Sequence, residues 1–421
     1  MSKGFARLFA GASPLRLTFG LRFASSSLPA GASPLRLTFG LHFTSPSLPA
    51  GASPPRLTFG SRFTSSSLPA GLPRPRLTFG LRFASSSLPA GASPPEADVQ
   101  STLRFIKFAR GGFPARGVVM GKISFVFSGQ GAQFAGMGKV FYENCERARN
   151  LFNKAEEARP GTIAQCFEGS ADELKMTENT QPCLYLASLA ASYAMDDAGI
   201  SADMTAGFSL GEISSLAYAG AYTAEEGFRI VCRRAELMAH AAAKNPAYMA
   251  AVVKLGAEKI EEIASKFSRT YPVNYNSAEQ TVISGDPAER DAFAAEVKAA
   301  GGRLIPLAVS GGFHSPFMAQ AAARFGEFLR SADIKAPSIP AYSNFTAGLY
   351  GDDVRTLLEN QINHPVRWQK TVLDMARNGA DTFIELGAGS TLAKLISKTL
   401  PDAKVFSVSG YEDIENIKEA L

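Results

Sequence analysis

The sequence is poor in the side chains that most often bind metals or form cross-links. Its 421 residues include only four cysteines and four histidines. The cysteines show no C-x-x-C or zinc-type spacing, so we expect reduced thiols, a cytoplasmic location and no metal site. No run reaches the roughly 18 apolar residues that a membrane-spanning helix needs, so we predict no membrane segment. The cysteines are Cys145, Cys166, Cys183 and Cys232.

Acidic residues are nearly absent from the first 119 positions. Of the 43 basic and 38 acidic residues of the chain, 14 basic ones lie there, with only Glu96 and Asp98 among the acids. This leaves 29 basic and 36 acidic residues for positions 120–421, a net charge of −7. A mildly acidic body gives no support for a nucleic-acid partner. Its 302 residues are enough for one large domain or a large and a small one.

Residues 11–95 repeat with a period of twenty. The segment 11–20 recurs at 31–40, with variants at 51–60 and 71–80. The repeats are too rich in Pro, Gly and Ser for a solenoid, so we expect 1–119 to be disordered. Met120 stands directly before a globular pattern. Our main hypothesis is that the native protein starts there and that 1–119 comes from an over-extended gene model; a disordered tail and a targeting segment are the alternatives.

A serine lies in the pattern of a nucleophile elbow, Gly207-Phe-Ser-Leu-Gly211. Glycines two residues on either side let the chain turn sharply from a strand into a helix. The turn exposes the Ser209 hydroxyl at the helix N-terminus, where backbone N–H groups stabilise negative charge. The motif predicts a serine nucleophile, although the five-letter pattern is permissive on its own.

One helix later, an arginine lies on an apolar stripe. Thr223-Ala-Glu-Glu226 is a capping box, which predicts a helix over residues 224–243. Arg234 falls between Val231 and Met238 on the apolar face of that helix. A buried guanidinium needs an anionic partner, and its planar fork matches a carboxylate. Either an internal salt bridge or a substrate carboxylate fulfils that need.

A serine nucleophile also needs a base, which is most often a histidine. Among His240, His314 and His364, the best candidate is His314. It follows a predicted strand, lies beside two glycines and precedes the helix start at Pro316. A loop histidine bonded to backbone is the alternative. No acid between Ser209 and His314 stands out, so the residue order of an α/β-hydrolase triad does not fit.

The pattern between residues 247 and 309 differs from that of its surroundings. It predicts the order β-α-β-β-α-β, which is typical of a ferredoxin-like unit. We therefore predict an α/β fold: an α/β-hydrolase-like large domain from 120–246 plus 310–421, with a ferredoxin-like subdomain inserted at 247–309. The predicted elements of this unit are strands at 248–255, 273–275, 281–284 and 304–309 and helices at 257–267 and 288–300. Nearer the start of the large domain, single helices are predicted around 141–159 and at 181–198.

Taken together, these residues resemble malonyl-CoA:acyl-carrier-protein transacylase, the acyltransferase family of bacterial fatty-acid synthesis. The resemblance covers residues 120–421 and none of the repeat. It rests on motifs that agree in order and spacing and are weak individually but specific as a set. They are the loop at 127–133, the elbow at 207–212, Arg234 25 residues after Ser209, the segments 274–277 and 282–285, the pair Phe313-His314, and the segments 361–368 and 385–389.

The resemblance implies a catalytic role for each of five residues. Ser209 would attack the malonyl thioester and His314 would take its proton. The backbone amides of Gln130 and Leu210 would form the oxyanion hole. In place of a triad acid, the backbone carbonyl of Gln361 would orient the histidine.

The resemblance also implies the substrate and the partner. Arg234 would hold the free malonyl carboxylate, and Asn276 would line the pocket through water. Malonyl-CoA is the expected donor and the phosphopantetheine thiol of acyl carrier protein the expected acceptor. We expect no permanently bound cofactor, and a protein that acts as a monomer.

Three positions depart from the family pattern without removing a catalytic group. Phe208 stands where the family often has a histidine, and Ser128 and Ala388 each replace a common proline. Phe313, before the histidine, is similar to the malonyl-selective pattern, in which bulk disfavours an α-methyl branch. Two alternatives stay open: a freestanding acyltransferase that serves a polyketide synthase, and a serine esterase or thioesterase.

Overall fold

The computed structural model describes residues 121–309 and 311–421, together with three short strands nearer the N-terminus. These residues belong to two separate units, Met1–Gly117 and Val118–Leu421.

In the first unit the described residues are three strands that coincide with copies of the repeat. They form one sheet in the order β1-β2-β3, antiparallel between β1 and β2 and parallel between β2 and β3. The other residues of the repeat, and with them most of the disorder expected for 1–119, lie outside the described residues. The strands are β1 (Leu17–Gly20), β2 (Arg36–Phe43) and β3 (Arg76–Phe83).

The second unit alternates strands and helices. Its described strands are β4 (Lys122–Phe127), β5 (Met204–Gly207), β6 (Tyr248–Val253), β7 (Thr270–Ser277), β8 (Gln280–Gly285), β9 (Arg303–Pro306), β10 (Ala341–Tyr342), β11 (Ala380–Leu386) and β12 (Lys404–Val408). Its described α-helices are α1 (Lys139–Asn144), α2 (Glu146–Ala158), α3 (Thr162–Glu168), α4 (Ala171–Lys175), α5 (Thr177–Asp197), α6 (Gly211–Tyr218), α7 (Ala224–Lys244), α8 (Ala257–Ala264), α9 (Arg290–Ala299), α10 (Ala319–Leu329), α11 (Val354–Asn363), α12 (Trp368–Arg377), α13 (Thr391–Thr399) and α14 (Tyr411–Ala420).

The large sheet is parallel, with the strand order β10-β5-β4-β11-β12. The last four residues of the short strand β4 are buried, and three of them are apolar, as expected for a strand covered on both faces. Phe127 pairs with Gly207 and with Leu386, so β4, β5 and β11 end at the same edge. The loops that follow these three strands therefore meet at one edge of the sheet, where ligands of open α/β sheets bind.

The small sheet is antiparallel, with the strand order β7-β8-β6-β9. Its own core includes Val252 and Ile283 from the sheet with Ile260 of α8 and Phe293 of α9. On the opposite face of β6, Met249 and Ala251 belong to the main core. Because successive side chains of β6 point to opposite faces of the sheet, this strand contributes to both cores and joins the small sheet to the large domain.

Most helices begin and end close to where the sequence predicts them, and one difference has a local cause. A single helix is expected around 141–159, but the structure has α1 and α2, separated at Cys145. That residue is extended, with φ −119° and ψ 120°, and its Sγ accepts a hydrogen bond from the Ala148 amide. The thiol thus acts as an N-cap and starts a second helix.

None of the helices in the described part of the chain combines the length and the hydropathy that crossing a membrane requires.

Candidate active site

The nucleophile elbow joins the end of β5 to the start of α6. Ser209 has φ 54°, in the left-handed region that residues other than glycine rarely adopt. The flanking glycines are required by close backbone approach. A Cβ on Gly207 would lie 1.9 Å from the carbonyl carbon of Gly211, and one on Gly211 would lie 2.1 Å from the oxygen of Phe127. The chain can therefore make this turn only with the two glycines of the motif.

The side chain of Asn344 closes the elbow from outside. Its Oδ1 accepts a hydrogen bond from the Ser209 amide at 2.7 Å, and its Nδ2 donates to the Gly207 carbonyl at 2.6 Å. Asn344 follows β10, which pairs with β5 beside the elbow. Asn344 could not be predicted from the sequence, because it belongs to no motif and lies 135 residues from Ser209.

His314 lies between the nucleophile and the Gln361 backbone. Its Nε2 is 2.7 Å from Ser209 Oγ, and its Nδ1 is 2.8 Å from the Gln361 carbonyl oxygen. Burial, and then the nearby Arg234 charge, lower the pKa of His314 to about 3, so the ring is neutral at neutral pH. A carbonyl can only accept, so Nδ1 carries the proton and Nε2 is left to accept the Ser209 hydroxyl proton.

Arg234 is buried beside the nucleophile, with 1% of its surface exposed. Its Nη2 donates to Ser209 Oγ at 3.2 Å and to Gln361 Oε1 at 2.8 Å, and its Nη1 donates to Gln181 Oε1 at 2.6 Å. Burial lowers its pKa to about 10, so it stays charged at neutral pH. Among the salt bridges between described residues, none involves Arg234. A guanidinium in this state has hydrogen-bond acceptors around it but no anion in contact.

A buried carboxyl group lies under the elbow, at Glu212 of α6. Its Oε1 accepts hydrogen bonds from the Asn344 amide at 3.2 Å and from the Tyr350 hydroxyl, and its Oε2 accepts from Gln361 Nε2 at 3.0 Å. Burial raises its pKa to about 7. Glu212 is the last residue of the elbow segment 207–212, but the sequence alone indicates no role for it, because burial is not visible there.

Gln361 connects these groups with both its backbone and its side chain. The backbone oxygen accepts from His314, and the side-chain Oε1 accepts from Arg234. The side-chain Nε2 donates to the Ser209 carbonyl at 2.6 Å and to Glu212. The family resemblance implies only the backbone contact; the side chain adds the link between the arginine and the elbow.

The loop after β4 packs against the elbow. A Cβ on Gly129 would lie 2.7 Å from the Phe208 carbonyl oxygen. The loop is fixed at its start by Ser128, whose Oγ donates to Glu385 Oε1 at 2.9 Å. Among the hydrogen bonds between described residues, none uses the backbone amide of Gln130 or Leu210.

The Gln130 side chain is joined to Arg234 by a chain of polar contacts. Its Oε1 accepts from the Thr177 hydroxyl at 3.0 Å, and Gln181 Nε2 donates to the same hydroxyl at 2.9 Å. Gln181 then accepts from the arginine through Oε1. The first loop and the arginine are therefore held by one network.

Asn276 is not part of this cluster. It lies on β7, 8% exposed, and its Nδ2 donates to Gln280 Oε1 at 3.5 Å. Phe208 packs edge-on against Trp368 with ring centroids 5.6 Å apart, and Phe313 is 7% exposed. Of the two other histidines considered as a base, His240 is exposed on α7.

Within the described residues, no group of three or more His, Cys, Asp or Glu side chains is arranged to hold a metal ion.

Comparison with known proteins places this chain in a family. A family model described as acyl transferase domain matches residues 124–418. The malonyl CoA-acyl carrier protein transacylase of Bacillus subtilis is 38% identical over 305 residues, covering 70% of this chain and 96% of the relative. The crystal structure of malonyl CoA-acyl carrier protein transacylase from Clostridium perfringens is similar with a TM-score of 0.69 and 32% identity, over 71% of this chain and 96% of that one. A third similar structure shows a type II polyketide synthase acyl carrier protein in complex with its malonyl-transacylase, with a TM-score of 0.69 and 28% identity, over 71% of this chain and 100% of that one.

Proposed function

Because the chain belongs to the malonyl CoA-acyl carrier protein transacylases of the acyl transferase family, we propose that it moves a malonyl group from malonyl-CoA to acyl carrier protein through a malonyl ester on Ser209. The protein is an acyltransferase that supplies fatty-acid elongation. The observation that carries the proposal is the buried charge of Arg234, 3.2 Å from Ser209 Oγ, with no anion in contact. A substrate that bears a free carboxylate next to its thioester supplies that anion.

In the first half-reaction Ser209 Oγ attacks the thioester carbonyl carbon. The hydroxyl proton passes to Nε2 of His314, which is neutral and 2.7 Å away. The tetrahedral intermediate collapses with cleavage of the carbon–sulfur bond, and the histidine returns the proton to the departing CoA thiolate. The products are malonyl-Ser209 and free CoA.

In the second half-reaction the phosphopantetheine thiol of acyl carrier protein takes the place of CoA. His314 accepts the thiol proton, the sulfur attacks the ester carbonyl, and the proton returns to Ser209 Oγ as the acyl–oxygen bond breaks. The enzyme is restored without a bound cofactor, because both sulfur carriers are substrates.

We assign the oxyanion hole to the backbone amides of Gln130 and Leu210. The contact between the first loop and the elbow, and the absence of other hydrogen bonds to these two amides among the described residues, support the assignment. A donor in such a position contributes typically about 3 kcal/mol to transition-state stabilisation. Gln361 holds the histidine through its backbone oxygen in place of a triad acid.

Arg234 pairs with the malonyl carboxylate, and Phe313 disfavours an α-methyl branch. Asn276 contacts none of the catalytic residues directly, so its role in the pocket, through water, stays a prediction. We also assign residues 247–309 to a ferredoxin-like subdomain. The antiparallel order β7-β8-β6-β9 with two helices supports this assignment.

The carrier protein that accepts the malonyl group distinguishes a role in fatty-acid synthesis from a role in polyketide synthesis. The similar structure of a malonyl-transacylase in complex with a type II polyketide synthase carrier is the reason to test the polyketide role as well. Transfer from malonyl-CoA to a purified phosphopantetheinylated carrier, followed by the mass of the carrier, tests the function. Faster transfer to the fatty-acid carrier is expected, and faster transfer to a polyketide carrier favours the alternative. Release of free malonate without transfer overturns the proposal in favour of a thioesterase. The cytoplasmic location and the monomeric state of the protein stay predictions. Size-exclusion chromatography can test the monomeric state.

A further inference from the structure

The side-chain amide of Gln361 is surrounded by hydrogen-bond partners that are compatible with only one orientation of the amide. On one side lies the Arg234 guanidinium, which can only donate hydrogen bonds. On the other side lie the Ser209 carbonyl and the Glu212 carboxylate, which accept from Nε2 at 2.6 and 3.0 Å. The amide oxygen must therefore face the arginine and the amide nitrogen must face the acid.

We propose that Glu212 is a positioning residue for acyl selection: its carboxylate fixes the Gln361 amide so that Oε1 faces Arg234 and holds the guanidinium in place for the malonyl carboxylate. The proposal rests on the proposed function, because it concerns the choice of substrate by the same site. Glu212 acts through Gln361 and does not touch the reacting atoms.

Burial makes this arrangement sensitive to the acid. Glu212, Gln361 and Arg234 are each 1% exposed or less. A buried cation and a buried anion separated by one polarised amide stabilise each other, whereas either charge left alone is costly. Glu212 also binds the backbone of Asn344, the residue that closes the elbow. One carboxylate therefore connects the elbow with the residue that holds the arginine.

The two carboxylate oxygens of Glu212 allow the positioning role to be separated from a purely structural one. Oε2 faces Gln361, whereas Oε1 accepts from Tyr350 and from the Asn344 amide. Replacing the acid by an amide of the same shape changes the side that faces Gln361. Replacing Tyr350 by phenylalanine changes only the other side.

The test is Glu212→Gln, assayed at about pH 8.5, where the wild-type carboxylate is ionised. An amide nitrogen at Oε2 would face Gln361 Nε2, so one of the two amides must turn and Arg234 loses its acceptor or the elbow loses a bond. We expect the KM for malonyl-CoA to rise about tenfold or more, as for a lost hydrogen bond to a charged group. The rate at which a neutral sulfonyl fluoride modifies Ser209 should stay within about twofold of wild type, because the contact with His314 is unchanged.

Tyr350→Phe is the matched control. It removes a donor from the same carboxylate but leaves the oxygen that faces Gln361, so the KM for malonyl-CoA should stay within about twofold. If Glu212 had only a structural role, a different pattern would be expected. In that case Glu212→Gln would lower malonyl turnover and sulfonyl fluoride modification together, or would leave the KM unchanged, and either outcome overturns the proposal.

A second variant covers the case in which Glu212→Gln does not fold. Gln361→Met removes the side-chain amide but keeps the backbone oxygen that holds His314. A rise of similar size in the KM for malonyl-CoA is expected, and an unchanged KM overturns the proposal. Where both variants fold, the double variant should add no further loss, because the two residues act in one chain of contacts. Absence of malonyl transfer by the wild-type protein would instead refute the proposed function.

Discussion

Arg234 and Ser209 are 25 residues apart in the sequence and 3.2 Å apart in the structure, between Nη2 and Oγ. The guanidinium also contacts two amide oxygens, from Gln181 and Gln361, and no carboxylate. A hydrolase of neutral esters has no use for a buried cation at its nucleophile. The relationship therefore selects a substrate with a negative charge close to the bond that reacts.

Replacing Arg234 by alanine should remove malonyl selectivity. We expect kcat/KM for malonyl-CoA to fall, because a desolvated charge pair is lost. The fall should correspond to a loss of about 2–5 kcal/mol of transition-state stabilisation. Transfer from acetyl-CoA should rise relative to malonyl transfer. Arg233→Ala is the control, since that side chain pairs with Glu236 on the exposed side of α7. Equal losses for the two acyl groups would show that Arg234 does not bind the carboxylate.

The low pKa of His314 predicts that the reactivity of Ser209 does not fall as the pH is lowered from neutral to about 5. Because the folded pKa is about 3, against an ordinary value of 6.5, the ring stays neutral between about pH 5 and 8. The rate at which a neutral sulfonyl fluoride modifies Ser209 should be constant over that range. A neutral reagent is needed because it does not depend on the charge of Arg234 or of the substrate. A loss of rate with a midpoint near 6.5 would mean that the histidine is not desolvated.

Glu212 should make folding stability depend on pH. Its folded pKa of about 7 lies above the unfolded value of about 4.3, so the folded state binds the extra proton. Its contribution to stability is fully present below about pH 4 and is lost as pH rises through 7. Arg234, Tyr222 and Tyr350, the charged and titratable groups that face it, keep their protonation in this range.

We therefore expect wild type to lose about 3 kcal/mol of unfolding free energy relative to Glu212→Gln between about pH 4.5 and 7.5. Urea unfolding of both proteins at a series of pH values measures the difference. If the difference in unfolding free energy between the two proteins did not change with pH, Glu212 would have the ordinary pKa of a carboxyl group.

The elbow glycines should be intolerant of a methyl group. Gly207→Ala brings a Cβ to 1.9 Å from the backbone of Gly211, so we expect a loss of about 3 kcal/mol or more in unfolding free energy. Gly351→Ala is the control, because nothing lies within 4 Å of a Cβ there. Urea unfolding measures both variants. Equal stability of the two would contradict the tight backbone approach described for the elbow.

Local signals predicted the elements that carry the site. The glycines of the elbow and the cap at Thr223 act within a few residues, so α6 and α7 are visible in the sequence. The order of strands and helices between residues 248 and 306 likewise agrees with the predicted pattern β-α-β-β-α-β. The break at Cys145 was missed because a thiol is an uncommon cap.

Long-range contacts could not be predicted in this way. Glu212 and Asn344 are 132 residues apart, and their hydrogen bond exists only because β10 pairs with β5. That strand has two residues and leaves no periodic pattern. The side-chain role of Gln361 depends on burial among groups from three other elements, which one sequence does not encode locally.

The malonyl ester on Ser209 is the intermediate on which the whole account depends. Incubation with malonyl-CoA, followed by intact mass and peptide mapping, should show one malonyl group on Ser209. The group should persist until phosphopantetheinylated acyl carrier protein is added and should then appear on the carrier thiol. Ser209→Ala should show no adduct. An adduct at another residue, no adduct in the wild-type protein, or release of free malonate at the same rate without carrier would contradict the account.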